Sequence, residues 1–266
     1  DLEQEAVEWQ TDVWKRMSSL YHREWDQRFA PIVDSVIRRG NLNSGERVLD
    51  LGCGTGSIAL GAAGIVGPTG HVVGIDLSNE MLEVARERAS QTSLANLTFE
   101  QGRAESIPAP DQSFDVVLTS LALMYVIDRG SAAREIARVL RPGERLVVAV
   151  WGGPSVCDIV QFQQIAGQFA ENPLVPGVGP GALADPAPLL HQLSDAGINA
   201  VVESEVFSFE FSGFQSAWDA MAGVTSSQLS KERRQEARSA IMRLMYKDGD
   251  GVRSFNNLTQ FIVGQA

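Results

Sequence analysis

Apolar residues repeat with two different periods along this chain, and the change of period divides it. In the first forty residues Trp9, Val13, Met17, Leu20 and Tyr21 recur at helical spacing, followed by Phe29, Ile32, Val33 and Val36. This predicts helix through residues 1–40, closed by the loop GNLNSGE (40–46). From Arg47 onward short apolar runs alternate with helical stretches. RVLDL (47–51), HVVGID (71–76), LTFEQG (97–102), FDVVLTS (114–120) and RLVVAVW (145–151) read as strands. Between them the spacing predicts a helix from Thr55 to Val66, one capped by Ser78 and running through Met81, Leu82, Val84 and Ala85, and one from about Ser131 to Leu140 that RPGE stops.

After Trp151 the rhythm changes. Val156, Ile159, Val160, Phe162, Ile165 and Phe169 mark a helix within 155–170, and a Gly/Pro-rich loop (172–182) follows. The helix PAPLLHQLSDAG (186–197) leads into an alternating strand, 200–211. Two further helices carry Phe214, Trp218 and Met221, then Ala237, Ile241, Leu244 and Met245, before a last strand at about 252–263. Near-continuous Val, Leu and Ile in the first five strands is the pattern of a parallel sheet covered on both faces. The expectation is an α/β fold: a Rossmann-like, doubly wound, mostly parallel seven-stranded sheet with an antiparallel C-terminal strand, plus helical lid elements. Residues 1–40 are the expected lid and 41–266 the main domain, with a ligand-binding core at 45–152 and substrate-facing helices within 155–251.

Charge and composition narrow the function. The chain has 266 residues, 44% hydrophobic and 21% charged, with a formal net charge of −11. Such a balance suits a globular protein and disfavours a nucleic-acid partner. The densest basic stretch, Lys231 to Arg238, is broken by Glu232 and Glu236 and reads as a solvated helix face. No apolar run approaches the roughly 20 residues of a membrane span. The segment DLEQEAVEWQ is acidic where a signal peptide would be basic, and two cysteines, Cys53 and Cys157, make no disulfide framework, so a cytoplasmic location is expected. The three histidines, His22, His71 and His191, have no metal-ligand spacing, so no metal is expected.

The chemistry concentrates at VLDLGCGTG (48–56). Gly52, Gly54 and Gly56 follow the first strand, where an α/β sheet opens its ligand crevice. Glycine lets the backbone turn tightly and a ligand approach it closely. The third glycine comes one residue too early for a dinucleotide fingerprint, and no lysine follows it as in a P-loop. Asp76, ending the second strand 20 residues beyond Gly56, is placed to accept from two ribose hydroxyls. Together these point to a nucleoside without a pyrophosphate.

VLDLGCGTG, VVGIDLSNEMLEVARERA, SFDVVLTSLALMYV and EIARVLRPGERLVVAVW occur in the order of the motifs of class I S-adenosylmethionine-dependent methyltransferases, and the chain resembles that family over residues 45–152. The branch it is most similar to is the small-molecule one that includes the ubiquinone/menaquinone-biosynthesis enzymes. The resemblance implies S-adenosylmethionine as cofactor and S-adenosylhomocysteine as product. It places Gly52, Gly54 and Gly56 beneath the methionine part, Asp50 at its amino group, and Asp76 on the ribose. It puts Leu77 and Met81 beside the adenine, and Ser120 and Leu121 near the sulfonium. One position departs from the family. Where an adenine-reading aspartate is common, QGRAESIP has Arg103, which has no acceptor, so Ala104 or Glu105 would have to read the adenine, or Arg103 would stack on it.

The implied reaction is methyl transfer to a small, apolar or amphipathic metabolite. Alternatives are a protein that binds this cofactor without transferring the methyl group, and a nicotinamide-dependent dehydrogenase. For an acceptor that needs a general base the candidates are Tyr21, His22, Tyr125 and His191. The acceptor, the atom methylated and the oligomeric state are not encoded in any motif.

Overall fold

A computed structural model describes residues 2–170, 177–221 and 229–266. The predicted loop at 172–176 and the part of the substrate-facing stretch at 222–228 lie outside the described residues.

Seven strands form one sheet: β1 (Arg47–Leu51), β2 (His71–Asp76), β3 (Leu97–Gln101), β4 (Phe114–Ser120), β5 (Leu140–Trp151), β6 (Asn199–Phe211) and β7 (Arg253–Gln265). Their order is β3-β2-β1-β4-β5-β7-β6. Pairs among the first five strands are parallel, and β7 runs antiparallel between β5 and β6. β1, β4 and the end of β5 are buried almost throughout, as strands covered on both faces must be.

The N-terminal region is two helices, α1 (Leu2–Glu24) and α2 (Asp26–Gly40), joined at Trp25. α3 (Ser57–Val66), α4 (Asn79–Ser90) and α5 (Arg129–Val139) are the crossovers. α6 (Asp158–Gly167), α7 (Ala187–Asp195), α8 (Phe214–Met221) and α9 (Lys231–Met245) belong to the C-terminal half. Ser78 caps α4 as its sequence predicts, its Oγ accepting from the Met81 N–H at 3.3 Å. α2 packs on α3, β4 and β5, α1 lies along α4, and α6 packs on α8, α9 and β7.

Two boundaries differ from expectation for local reasons. α3 begins at Ser57 rather than Thr55, because Gly56 stands before it in a left-handed conformation at φ +83°. RPGE does not separate α5 from β5 but lies inside the strand. The β4 register jumps from Phe114↔Leu140 to Val116↔Arg145, so the extra residues bulge. Pro142 lacks an N–H, Gly143 takes φ +81°, and the bulge is held by Gly143 N–H donating to the Ala266 carbonyl at 2.7 Å.

Among the described residues no helix is long and apolar enough to cross a membrane.

Candidate active site

Strand order reverses between β1 and β4, so the crevice of this sheet opens beyond Leu51 and Ser120. The glycine turn sits there. Gly52 and Cys53 donate to the Ile75 carbonyl at 2.8 and 2.9 Å, which ties the turn to the end of β2. Gly54 has φ +52°, and a Cβ built on it meets nothing within 4 Å: this is the open side of the turn. Gly56 differs. Its Cβ would stand 2.9 Å from the Phe99 ring, and the residue does not line the crevice. On that side Gly56 lets α3 pack against β3 and α4.

Two carboxylates meet at this turn. Asp76 accepts from the Gly54 N–H at 2.8 Å and the Ser78 N–H at 2.9 Å, one on each oxygen. Among the described residues it has no cationic partner, and burial holds its pKa above the usual carboxylate range. Asp50 is 1% exposed and accepts from the Ala59 N–H at 3.0 Å at the start of α3. Burial pushes its pKa up to about 8, with the charge of Asp76 adding to the effect.

The crevice is a cavity with two chambers. The larger has an empty volume of about 1310 Å³, its mouth included. One end is formed by Asp76, Leu77, Met81, Arg103, Ala104 and Glu105, the other by Trp14, Tyr21, Tyr125, Trp151, Gln163 and Met221. Gly52, Gly54, Ser120 and Leu121 lie between. The smaller chamber shares Gly52, Gly54 and Ser120 and adds Asp26, Asp50, Thr55 and Ser57. Leu121 takes φ +56°, a left-handed conformation unusual for leucine, directly after β4.

The base candidates separate cleanly. Tyr21 and Tyr125 face the cavity, and burial raises both phenols above their ordinary pKa. Each hydroxyl lacks a hydrogen-bond partner among the described residues; at neutral pH both are donors rather than bases. His22 is not brought to the cavity: it is half exposed, with Nδ1 2.6 Å from Asp26 Oδ2. His191 is exposed on α7 beside Asp195. Arg103 turns to Glu105, with Nη2 3.4 Å from Oε1, and both line the wall where an adenine reader was expected. Among the described residues no group of three His, Cys, Asp or Glu side chains could hold a metal ion.

Three lining residues of α1, Val7, Gln10 and Trp14, were absent from the sequence reading. With Met17 and Tyr21 they form one stripe of the helix, spaced three, four, three and four, and all line the cavity. Gln10 Nε2 donates to the Tyr125 carbonyl at 2.8 Å, and the Trp14 ring meets Tyr125 edge-on with centroids 5.0 Å apart. Counting from Val7 rather than Trp9 would have found this face. Asp26 anchors the N-terminal helices below: Oδ1 accepts from Thr55 Oγ1 at 2.5 Å, and Oδ2 from Arg88 Nη1 at 3.0 Å. Arg88 also donates to the Thr55 carbonyl at 2.7 Å, so α1–α2, the glycine turn and α4 share one polar node.

Residues 42–169 match the methyltransferase domain family. The chain is 40% identical over 139 residues to the ubiquinone/menaquinone biosynthesis C-methyltransferase UbiE of Vibrio campbellii, covering 52% of this chain and 51% of that protein. To the enzyme of the same name from Ectopseudomonas mendocina it is 40% identical over 165 residues, covering 59% and 62%. The chain thus spans about half the length of most of the curated relatives it matches. Among solved structures, the YcgJ protein of Bacillus subtilis superposes with a TM-score of 0.64 at 23% identity, covering 88% of this chain and 97% of that one. The [4+2]-cyclase SpnF superposes with a TM-score of 0.59 at 22% identity, covering 91% and 83%. Over residues 42–169 the chain is thus similar to methyltransferase domains, a family whose expected cofactor is S-adenosylmethionine.

The cofactor of that family fits the residues present. After accepting one backbone N–H on each oxygen, Asp76 keeps free lone pairs for two vicinal ribose hydroxyls. Asp50, with one oxygen on Ala59 and no cation beside it among the described residues, can take an ammonium group in the smaller chamber. The open side of Gly54 joins the two. Leu77 and Met81 line the same end and would give an adenine there an apolar wall.

Proposed function

We propose that this protein transfers a methyl group from S-adenosylmethionine to a small apolar or amphipathic metabolite. The observation that carries the reading is the continuity of the cavity, in which the nucleoside end around Asp76 opens into a chamber of aromatic side chains. When bound, the cofactor would supply a methyl group on sulfur: an electron pair of the acceptor, on a heteroatom or an electron-rich carbon, would form the new bond while the C–S pair stays on sulfur, and the proton lost from the acceptor would leave to solvent. Asp76 and Asp50 fix the two ends of the cofactor. Ser120 and Leu121 border the passage between them and the acceptor. The α1 stripe and Trp151 exclude water from it. In-line alignment of this kind can be worth about 7–11 kcal/mol without any acid or base. The acceptor then has to be nucleophilic already, because neither buried tyrosine readily gives up its proton.

The relatives are named for C-methylation in quinone biosynthesis, so an electron-rich carbon is the first acceptor class to assay. The second reading, a cofactor-binding protein that does not transfer the methyl group, is supported by the same lack of a base and by the cyclase among the structural neighbours. Incubating the protein with S-adenosylmethionine and fractionated metabolite extract separates the two. Formation of S-adenosylhomocysteine together with an acceptor heavier by one methylene supports transfer. Tight cofactor binding with no turnover in any fraction supports the second reading and overturns the first.

A further inference from the structure

The aromatic chamber contains an amide side chain whose buried oxygen the described residues leave unsatisfied. Gln163 lies on α6 and lines the cavity. The residue is partly exposed, but its Oε1 is buried and has no hydrogen-bond partner among the described residues. The other buried side-chain atoms in this condition, on Thr119, Gln192, Tyr246, Arg253 and Thr259, all belong to residues that do not line the cavity. A buried amide oxygen with no partner destabilises a fold, whereas leucine at the same place would pack on the apolar wall. Nothing among the described residues supplies that partner, and a ligand in the cavity can.

Charge limits what that partner is. The charged residues lining the large chamber are Asp76, Arg103 and Glu105, all at its nucleoside end, and the single cation among them is paired with Glu105. Away from that end the cavity lining is uncharged and includes Trp14, Tyr21, Tyr125, Trp151, Ile159 and Met221 beside Gln163. A carboxylate or phosphate entering there would lose its hydration and gain no counter-charge among the described residues. A neutral O–H or N–H would complete the Gln163 carbonyl. We propose that Gln163 is the residue that selects the acceptor, and that the acceptor is an uncharged molecule donating a hydroxyl or N–H hydrogen bond to Oε1. This rests on the reading of the cavity as a joint cofactor and acceptor site.

The test uses the full chain saturated with S-adenosylhomocysteine and two neutral donor probes, indole and 4-propylphenol. Each is titrated by calorimetry against its N- or O-methylated counterpart and against the corresponding carboxylate. In the wild type each donor should bind about tenfold more tightly than its methylated counterpart, and the carboxylates more weakly still. In Gln163→Leu the donor preference should fall to about one while the affinity for S-adenosylhomocysteine is retained and the melting temperature rises. A preference that survives in Gln163→Leu, tighter binding of the carboxylates, or no binding of either neutral donor overturns the proposal. A melting temperature that falls in Gln163→Leu assigns the amide to the fold and overturns it as well. Failure of the wild type to bind S-adenosylhomocysteine is a different result, which removes the underlying functional reading instead.

Discussion

Trp25 Nε1 donates to the Ala220 carbonyl at 3.1 Å, joining the hinge of the two N-terminal helices to α8 near the other end of the chain. The indole is 5% exposed and stacks on Phe29 with centroids 4.7 Å apart. One hydrogen bond thereby links the two segments that wall the aromatic chamber from opposite sides.

Trp25→Phe keeps the ring and deletes the donor, leaving the buried Ala220 carbonyl without its partner. The expected loss is about 1–3 kcal/mol in urea unfolding. Amide hydrogen exchange should quicken through α1 and in α8 while the central strands keep their protection. Unchanged exchange in both helices would show that the bond does not hold the lid.

For Asp76→Ala the expected loss of S-adenosylhomocysteine affinity is at least about 1–3 kcal/mol, because the buried Gly54 and Ser78 N–H groups and the ribose hydroxyls all lose an acceptor. Asp76→Asn keeps one acceptor oxygen and should lose less. Equal affinities for all three proteins by calorimetry would remove Asp76 from the site.

Local pattern was the best guide to the fold. The glycine turn and Asp76 are local features: a strand end, a tight turn and a strand end beside it, each set by residues a few positions apart. The bounds of β1, β2 and β4 follow the apolar runs because those strands are buried on both faces. The bulge at RPGE was illegible because the C-terminal Gln265 and Ala266 hold it. On α1, tryptophans occur on two faces, and Trp9 drew the eye from Trp14, which lines the cavity. Nothing in the neighbourhood of Gln163 in sequence separates an unpartnered amide from an ordinary surface one; only the burial of Oε1 does.

Arg103→Asp would restore the acidic residue common in related enzymes, yet the structure gives a reason to expect weaker cofactor binding. Glu105 has a side chain 14% exposed, with Arg103 as its cation at 3.4 Å. The substitution puts two carboxylates side by side at a half-buried wall, and one of them must take up a proton or swing away. The double variant Arg103→Asp, Glu105→Gln removes that repulsion and should recover most of the loss. If the single variant binds S-adenosylhomocysteine as well as the wild type does, the pair has no part in holding the adenine end.

Asp50 predicts a proton released on binding. With its pKa near 8 in the free protein, roughly nine-tenths of the carboxyl groups are protonated at pH 7. An ammonium group placed beside it favours the charged form, so the proton must leave as the complex forms. Calorimetry of S-adenosylhomocysteine binding in phosphate and in Tris should therefore give enthalpies that differ by the ionisation enthalpies of the buffers, corresponding to close to one proton at pH 7. The difference should shrink at pH 9 and vanish in Asp50→Asn, which can still accept from the Ala59 N–H. Unfolding has the matching sign. Between the ordinary value of 3.8 and about 8 the native state holds a proton that the unfolded chain has lost, so this group's effect on stability becomes less favourable as pH rises through that window. Relative to the wild type, Asp50→Asn should gain in urea midpoint between pH 5 and pH 8. Equal pH dependence in the two proteins, with no buffer-dependent heat, would place the Asp50 carboxylate in its charged form throughout and remove it from the proton balance of the site.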